Sequence, residues 1–183
     1  YEIGVRLVGS EMCIRDSVRS VFFCESAFDA MAFYQMNRIQ IGDSAALVSL
    51  GGTFSDRQIT GVMERFPNAR AFDCFDNDLA GRIYGLRMMA LQEGIQMKIS
   101  RTDGGIRIET KGKVFEPDME RPLLAQVARQ LNIRYRMGQW LPPKAFKDWN
   151  DCLLNRPMEP VILPHKEERE QNLSEQRNKG RKI

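Results

Sequence analysis

Histidine is nearly absent from this chain, which disfavours the chemistry that depends on it. The 183 residues include one histidine, His165, beside a charged C-terminal stretch. A Ser-His-Asp triad or a histidine-rich metal site is therefore nearly excluded. The four cysteines form no Cys-x-x-Cys pair, which argues against structural zinc and favours reduced thiols in a cytoplasm. Chemistry must then use carboxylates, Lys or Arg, or a cofactor.

Other absences narrow the choice further. No apolar run is long enough to span a bilayer, so we expect a cytoplasmic protein without a membrane partner. No G-x-x-x-x-G-K-[ST] loop is present to bind a nucleotide phosphate. The formal net charge is only +3, and charge alone argues weakly for a nucleic-acid partner.

The first seventeen residues are unlike the rest of the chain. They show neither signal-peptide anatomy nor a clear periodicity. Within them, LVGSEMCIRDS (7–17) resembles the translation of a transposase-type sequencing-library adapter. We therefore expect segment 1–17 to be an artefact and exclude it from the fold. The native sequence is expected to start near Val18, inside a longer protein.

From Val18, short apolar runs alternate with helical stretches. The predicted strands are 18–24, 45–50, 69–75 and 95–100, and the predicted helices are 27–37, 56–66 and 79–93. This alternation predicts an α/β fold, a mainly parallel sheet flanked by helices. Ser26 is expected to cap the first helix, with Phe28, Met31 and Ala32 on one apolar face.

The rhythm changes after residue 100. A β-hairpin insertion is predicted at about 101–116, with turns at 103–105 and 111–112. An amphipathic helix (121–132) and a candidate strand (133–137) follow. We expect one domain over 18–156 and a charged tail or linker over 157–183.

Carboxylates follow two of the predicted strands. Glu25 ends the first strand and Asp29 lies one helical turn further, while Asp76 and Asp78 follow the third strand. Ligands collect at the carboxyl ends of parallel strands, and clustered carboxylates need a cation. Oxygen-only donors favour Mg²⁺ or Mn²⁺. Alternatively, Asp76-Asn77-Asp78 only starts a helix.

Several residues are candidates for binding phosphate or a nucleic-acid backbone. Gly81 would let the backbone come close at a helix start, where N–H groups favour a phosphate. Arg82 and Lys147 are candidate phosphate partners. In the hairpin, Arg101 and Arg107, together with Lys111 and Lys113, are placed to follow a nucleic-acid backbone, although basic hairpins are more often solvated faces.

Four short segments resemble a TOPRIM domain, the fold shared by bacterial primases, topoisomerases, OLD-type nucleases and RecR-like proteins. CESAFDA (24–30) and FDNDLAGR (75–82) contain the glutamate and the Asp-x-Asp of that family. SLGGTFS (49–55) is similar to a primase segment, and KDWNDCLL (147–154) resembles TOPRIM proteins of bacterial conjugative and mobile elements. Ser26 departs from the glycine of many primases.

The resemblance implies roles for the acidic residues. Glu25 would be a general acid/base or a metal ligand, and Asp76 and Asp78 would hold Mg²⁺. Asp148 or Asp151 would be further ligands. The implied partners are single-stranded DNA, nucleoside triphosphates, and replication or mobilisation proteins.

Three functions remain open at this point. The first is primase-like nucleotidyl transfer in replication or mobilisation of a bacterial mobile element. The second is a TOPRIM nuclease that hydrolyses phosphodiesters with the same carboxylates. The third is a non-catalytic module that binds DNA or protein within a mobilisation complex.

Overall fold

A four-stranded parallel sheet lies at the centre of the fold, with its strands in the order Ala45–Ser49, Ser20–Cys24, Arg70–Asp73 and Gly138–Gln139. The structure, a computed structural model, describes residues 17–53 and 55–158. In chain order the strands are β1 (Ser20–Cys24), β2 (Ala45–Ser49), β3 (Arg70–Asp73), β4 (Lys98–Thr102), β5 (Gly105–Thr110), β6 (Lys113–Phe115) and β7 (Gly138–Gln139). The helices are α1 (Ala27–Ile41), α2 (Asp56–Arg65), α3 (Leu79–Gln92), α4 (Leu123–Leu131) and α5 (Trp149–Leu153). The predicted α/β fold is confirmed.

The central strands are apolar because helices cover both faces of the sheet. β1 is buried from Val21 to Cys24, as expected for a parallel strand between two neighbours. On one face Phe22 packs against Phe33 of α1, which in turn contacts Trp149 of α5, and on the other Phe23 shares a cluster with Met88 and other residues of α3. This burial holds the strand ends, and the residues that follow them, in a defined register.

A second, antiparallel sheet of β4, β5 and β6 extends the larger core. Ile106 and Ile108 alternate inward along β5 and join Leu124 and Val127 of α4. The hairpin turns lie at 103–104 and 111–112, as predicted. The strand predicted at 95–100 is present from Lys98 onward, but it does not belong to the parallel sheet. This segment overlaps β4, which pairs with its sequence neighbour β5, while β7 takes the place beside β3.

Two other local predictions are wrong in detail. The stretch 133–137 is not a strand, because pairing with β3 begins only at Gly138. The apolar face expected for α1 is also wrong, since Phe28 is 67% and Met31 59% exposed. The helix packs against both the sheet and α5, so Ala32 and Phe33 define its buried side.

Other side chains complete the core of the described residues. Met88 and Met89 are fully buried core residues, and Cys74 is a buried thiol inside the fold. Trp140 and Trp149 make edge-to-face contacts with Phe33. No helix in the described part of the chain is both long and apolar enough to cross a membrane. The predicted adapter up to residue 16 and the predicted tail from residue 159 lie outside the described residues.

Candidate metal centre

Glu25 and Asp76 meet at the carboxyl edge of the parallel sheet. β1 and β3 are neighbours, with Phe23 paired to Asp73, so the residues that follow each strand emerge side by side. The backbone N–H of Asp76 donates to Oε1 of Glu25 at 3.2 Å. The juxtaposition expected from the strand ends is therefore present, and the catalytic and metal-binding roles of these residues stay predictions.

Asp76 and Asp78 converge on one cation, the ammonium group of Lys147. Lys147 Nζ lies 3.3 Å from Oδ2 of Asp76 and 3.7 Å from Oδ2 of Asp78. The Asp76 side chain is nearly buried, with 11% exposed, whereas that of Lys147 is about half exposed. The two aspartates therefore face a shared cation at the rim of the sheet.

Asp78 also starts a helix, as the alternative interpretation of the Asp-x-Asp segment predicted, while its role as a metal ligand stays a prediction. Its Oδ1 accepts a hydrogen bond of 2.9 Å from Gly81 N and caps α3, while its Oδ2 faces Lys147. Position 81 has no room for any side chain, so it requires glycine. A Cβ there would lie 2.3 Å from the carbonyl oxygen of Asp76 and 2.9 Å from Oε1 of Glu25. The glycine therefore lets α3 press against the candidate site.

Asp29 and Asp148, two further predicted carboxylate ligands, are engaged in holding α5. Asp29 is buried, and its Oδ1 accepts from the N–H of Asn150 at 3.2 Å. Ser26, which stands where many primases have glycine, caps α1 and donates to Oδ2 of Asp29 at 2.5 Å. Asp148 caps α5 by accepting from the N–H of Asp151 at 2.7 Å. These contacts fix α5 to α1.

Within the described ranges, no three Asp, Glu, His or Cys side chains are grouped closely enough to hold a metal ion. The predicted set of six ligands is therefore not assembled as such. Asp76 and Asp78 converge on Lys147, and the side chain of Glu25 accepts a hydrogen bond from the backbone N–H of Asp76.

The basic candidates are dispersed rather than gathered at these carboxylates. The Arg82 guanidinium donates to the carbonyl of Arg121 at 3.0 Å, which ties α3 to the segment before α4. In the hairpin, Arg101 pairs with Ile106 and Arg107 pairs with Ser100. Because directly paired residues share a face and consecutive residues of a strand do not, the two arginines point to opposite faces. A single backbone strand cannot contact both from one side, and their predicted role in binding stays untested.

Burial and mutual repulsion perturb the acids of the site. Partial burial, then the charges of Asp76 and Asp78, raise the pKa of Glu25 to about 7, against the opposing effects of the Asp76 N–H and Lys147. Burial raises the pKa of Asp76 to about 6, although its hydrogen bond with Lys147 lowers it. Acids with raised pKa values that face a cation, with oxygen as the only donor, fit a hard divalent ion.

Asn77 is a residue of the site that the sequence did not indicate. Its Nδ2 donates to the carbonyls of Pro142 at 2.9 Å and Phe146 at 2.8 Å, and its backbone N–H donates to the carbonyl of Lys147 at 2.7 Å. It therefore fastens the loop that carries Lys147 to the Asp-x-Asp segment. No local pattern signals this role, because the partners lie more than sixty positions away.

Asp73 was also missed, although an aspartate inside an apolar strand is a visible signal. It is fully buried at the end of β3, where its Oδ1 accepts from Phe75 N at 3.1 Å and its Oδ2 from Gln139 Nε2 at 2.9 Å. A Cβ on Gly85 of α3 would lie 2.3 Å from that Oδ2. Burial raises the pKa of Asp73 to about 6. Its contacts bring together β3, β7 and α3.

The fold and this edge of the sheet agree with the comparison to known families. Residues 22–105 match the family described as Toprim-like. This match, over slightly less than half of the chain, supports a TOPRIM domain in these residues, and TOPRIM domains typically bind Mg²⁺ and act on nucleic acids. The match includes Glu25, Asp76 and Asp78. No curated protein and no solved structure matches the chain significantly.

Proposed function

We propose that this chain catalyses Mg²⁺-dependent, primase-like nucleotidyl transfer on a single-stranded DNA template. The observation that carries the proposal is the approach of Glu25 to Asp76 and Asp78 at one edge of a TOPRIM sheet. The segments CESAFDA and SLGGTFS, similar to primase sequences, favour polymer synthesis over hydrolysis. The biological setting proposed is replication or mobilisation of a bacterial mobile element.

Glu25 is assigned the proton transfer. Its Oε1 accepts from the Asp76 N–H, which leaves Oε2 to take the proton of an attacking 3′-hydroxyl. A pKa near 7 suits a carboxyl that gains and loses protons near neutral pH. The hydroxyl oxygen would attack the α-phosphorus of a nucleoside triphosphate, and pyrophosphate would leave.

Asp76 and Asp78 are assigned as the ligands of Mg²⁺ or Mn²⁺. When bound there, the ion would supply charge neutralisation for the phosphates. The half-exposed Lys147 side chain is within reach of the same phosphates. Asp29, Asp148 and Asp151, predicted as further ligands, stay proposed as such, while contacts of Asp29 and Asp148 also hold α5 in place.

A TOPRIM nuclease is the second candidate, because the same carboxylates also suit attack by water on a phosphodiester. A binding module is the third, since Lys147 already neutralises part of the acidic charge without a metal. The three differ in what they require. Primase activity needs nucleoside triphosphates and a template, and nuclease activity needs metal and DNA. A binding module needs neither triphosphates nor metal to bind DNA.

The test is primer synthesis by the full chain on single-stranded DNA, with nucleoside triphosphates and Mg²⁺ or Mn²⁺. The double variant Asp76→Asn/Asp78→Asn is compared with Asp43→Asn, which alters an exposed carboxylate before β2, at the opposite end of the sheet. Triphosphate-dependent product that only the double variant lacks supports the proposal. Degradation of DNA without triphosphates identifies a nuclease instead. DNA binding that the double variant retains, without either product, identifies a binding module.

A further inference from the structure

We infer that Lys147 is a built-in counter-cation of Asp76 and Asp78 that competes with the metal for these two carboxylates. The inference rests on the proposed metal site and adds a regulator to it. In the absence of the ion, the ammonium group neutralises the aspartates. When the ion binds, the ammonium leaves them and becomes available to a substrate phosphate.

The distances place Lys147 where a shared cation must be. Its Nζ is 3.3 Å from Asp76 Oδ2 and 3.7 Å from Asp78 Oδ2, so one charge bridges both acids. A divalent ion coordinated by the same oxygens would lie about 2.1 Å from each of them. Two cations cannot occupy this space without strong repulsion, so binding of one displaces the other.

The main chain at Lys147 is held while its side chain has room to move. The carbonyl of Lys147 accepts from Asn77 N at 2.7 Å, and the preceding carbonyl of Phe146 accepts from Asn77 Nδ2 at 2.8 Å. Asp148 is the N-cap of α5. The side chain of Lys147 is 48% exposed. Displacement therefore requires only rotation of the side chain, which keeps the ammonium within one side-chain length of the site.

The two roles of the lysine follow from this tether. A lysine on a mobile loop could move away from the metal, whereas Lys147, whose main chain is hydrogen-bonded to Asn77, stays beside it. Phosphate oxygens bound to the ion would then offer the ammonium new acceptors. Lys147 thus lowers the affinity of the substrate-free protein for the ion. When a phosphate binds, contacts between the ammonium group and the phosphate oxygens compensate for this loss of affinity.

The experiment is calorimetric titration of Mn²⁺ into the full chain, Lys147→Met and Lys144→Met. Lys144 is an exposed lysine of the same loop and loses the same charge in its variant. An ion pair of this exposure changes an equilibrium by a factor of up to about five, and Lys147 makes two. We therefore expect Lys147→Met to bind Mn²⁺ roughly three- to thirty-fold more tightly than the parent, and Lys144→Met to bind as the parent does.

Thermal unfolding supplies a second readout that a merely structural role would not produce. Lys147→Met should have a lower Tm than the parent in chelator, and saturating Mn²⁺ should close or reverse this gap. A gap that is unchanged by Mn²⁺ would overturn the inference, because it would assign the lysine to stability alone.

The outcomes of the titration separate this inference from the proposed function. Equal or weaker Mn²⁺ binding by Lys147→Met, beside clear binding by the parent, overturns the competition and leaves the metal site intact. Mn²⁺ binding by Lys147→Met, without detectable binding by the parent or Lys144→Met, supports the competition most strongly. Absence of binding by every protein overturns the metal site and, with it, this inference.

Discussion

Replacing Gly81 by alanine should disturb the candidate site through a contact with main-chain atoms. A Cβ at this position would lie 2.3 Å from the carbonyl oxygen of Asp76, 2.8 Å from its nitrogen and 2.9 Å from Oε1 of Glu25. Unstrained contacts between such atoms are about 3.5 Å. The start of α3 must therefore retreat by roughly 1 Å from the Asp76 backbone, which has little freedom to yield.

The magnitude follows from two opposing terms. Overpacking costs about 1–3 kcal/mol, and the two main-chain contacts below 3.0 Å put this site in the upper half of that range. Alanine is preferred to glycine in a helix by about 1 kcal/mol, which offsets part of the cost. We expect Gly81→Ala to lower the free energy of unfolding by about 1–2 kcal/mol. Gly61→Ala is the matched control, because Gly61 lies in α2 with no atom within 4 Å of the added Cβ. That variant should gain about 0.5–1 kcal/mol.

Urea unfolding followed by far-UV circular dichroism measures both changes, which should have opposite signs. Mn²⁺ titration should in addition show weaker binding by Gly81→Ala and unchanged binding by Gly61→Ala. If Gly81→Ala were as stable as the parent, the close approach of α3 to Asp76 would be refuted as a constraint on the fold.

Two further substitutions test the buried contacts around the site. Because the pKa of Asp73 is raised, its protonated form is favoured in the folded protein. This contribution to the free energy of unfolding is fully present below about pH 4 and is lost as the pH rises through about 6. Asp73→Asn should remove this loss, which is at most about 3 kcal/mol, and should exceed the parent in stability near pH 7.5. A variant less stable than the parent at that pH, by urea midpoint, would contradict this. Asn77→Asp turns a donor that faces main-chain carbonyls into an acceptor, and we expect it to destabilise by about 1–3 kcal/mol. Asn68→Asp, in an exposed turn, is its control, and equal urea midpoints for the two variants would count against the anchoring role of Asn77.

The acidic edge could be predicted because it depends on local patterns. Apolar runs that end in Glu25 and in Asp76 mark the ends of two parallel strands, and parallel strand ends share one edge. The glycine at 81 follows from the same logic, since a helix that starts beside a binding edge needs close approach. Periodicity and spacing carry this information without any knowledge of distant contacts.

The hairpin shows where local pattern becomes ambiguous. The segment 95–100 has the composition of a strand, and composition does not state which sheet it joins. Its neighbour β5 follows after a tight turn and captures β4, because closing a short loop costs less entropy than a long crossover. The parallel sheet is completed instead by Gly138–Gln139, whose glycine lies against the Phe72 ring.

By itself, the sequence determined the α/β layout, the Ser26 cap of α1 and the meeting of Glu25 with the Asp-x-Asp segment, because these depend on periodicity and on neighbouring residues. Only the tertiary structure decided that Asp29 holds α5 through Asn150, 121 positions away, and that Lys147 stands between Asp76 and Asp78. Such contacts depend on how loops are packed over the sheet. The free energy that selects them is spread over the whole core, so no short stretch of sequence contains it.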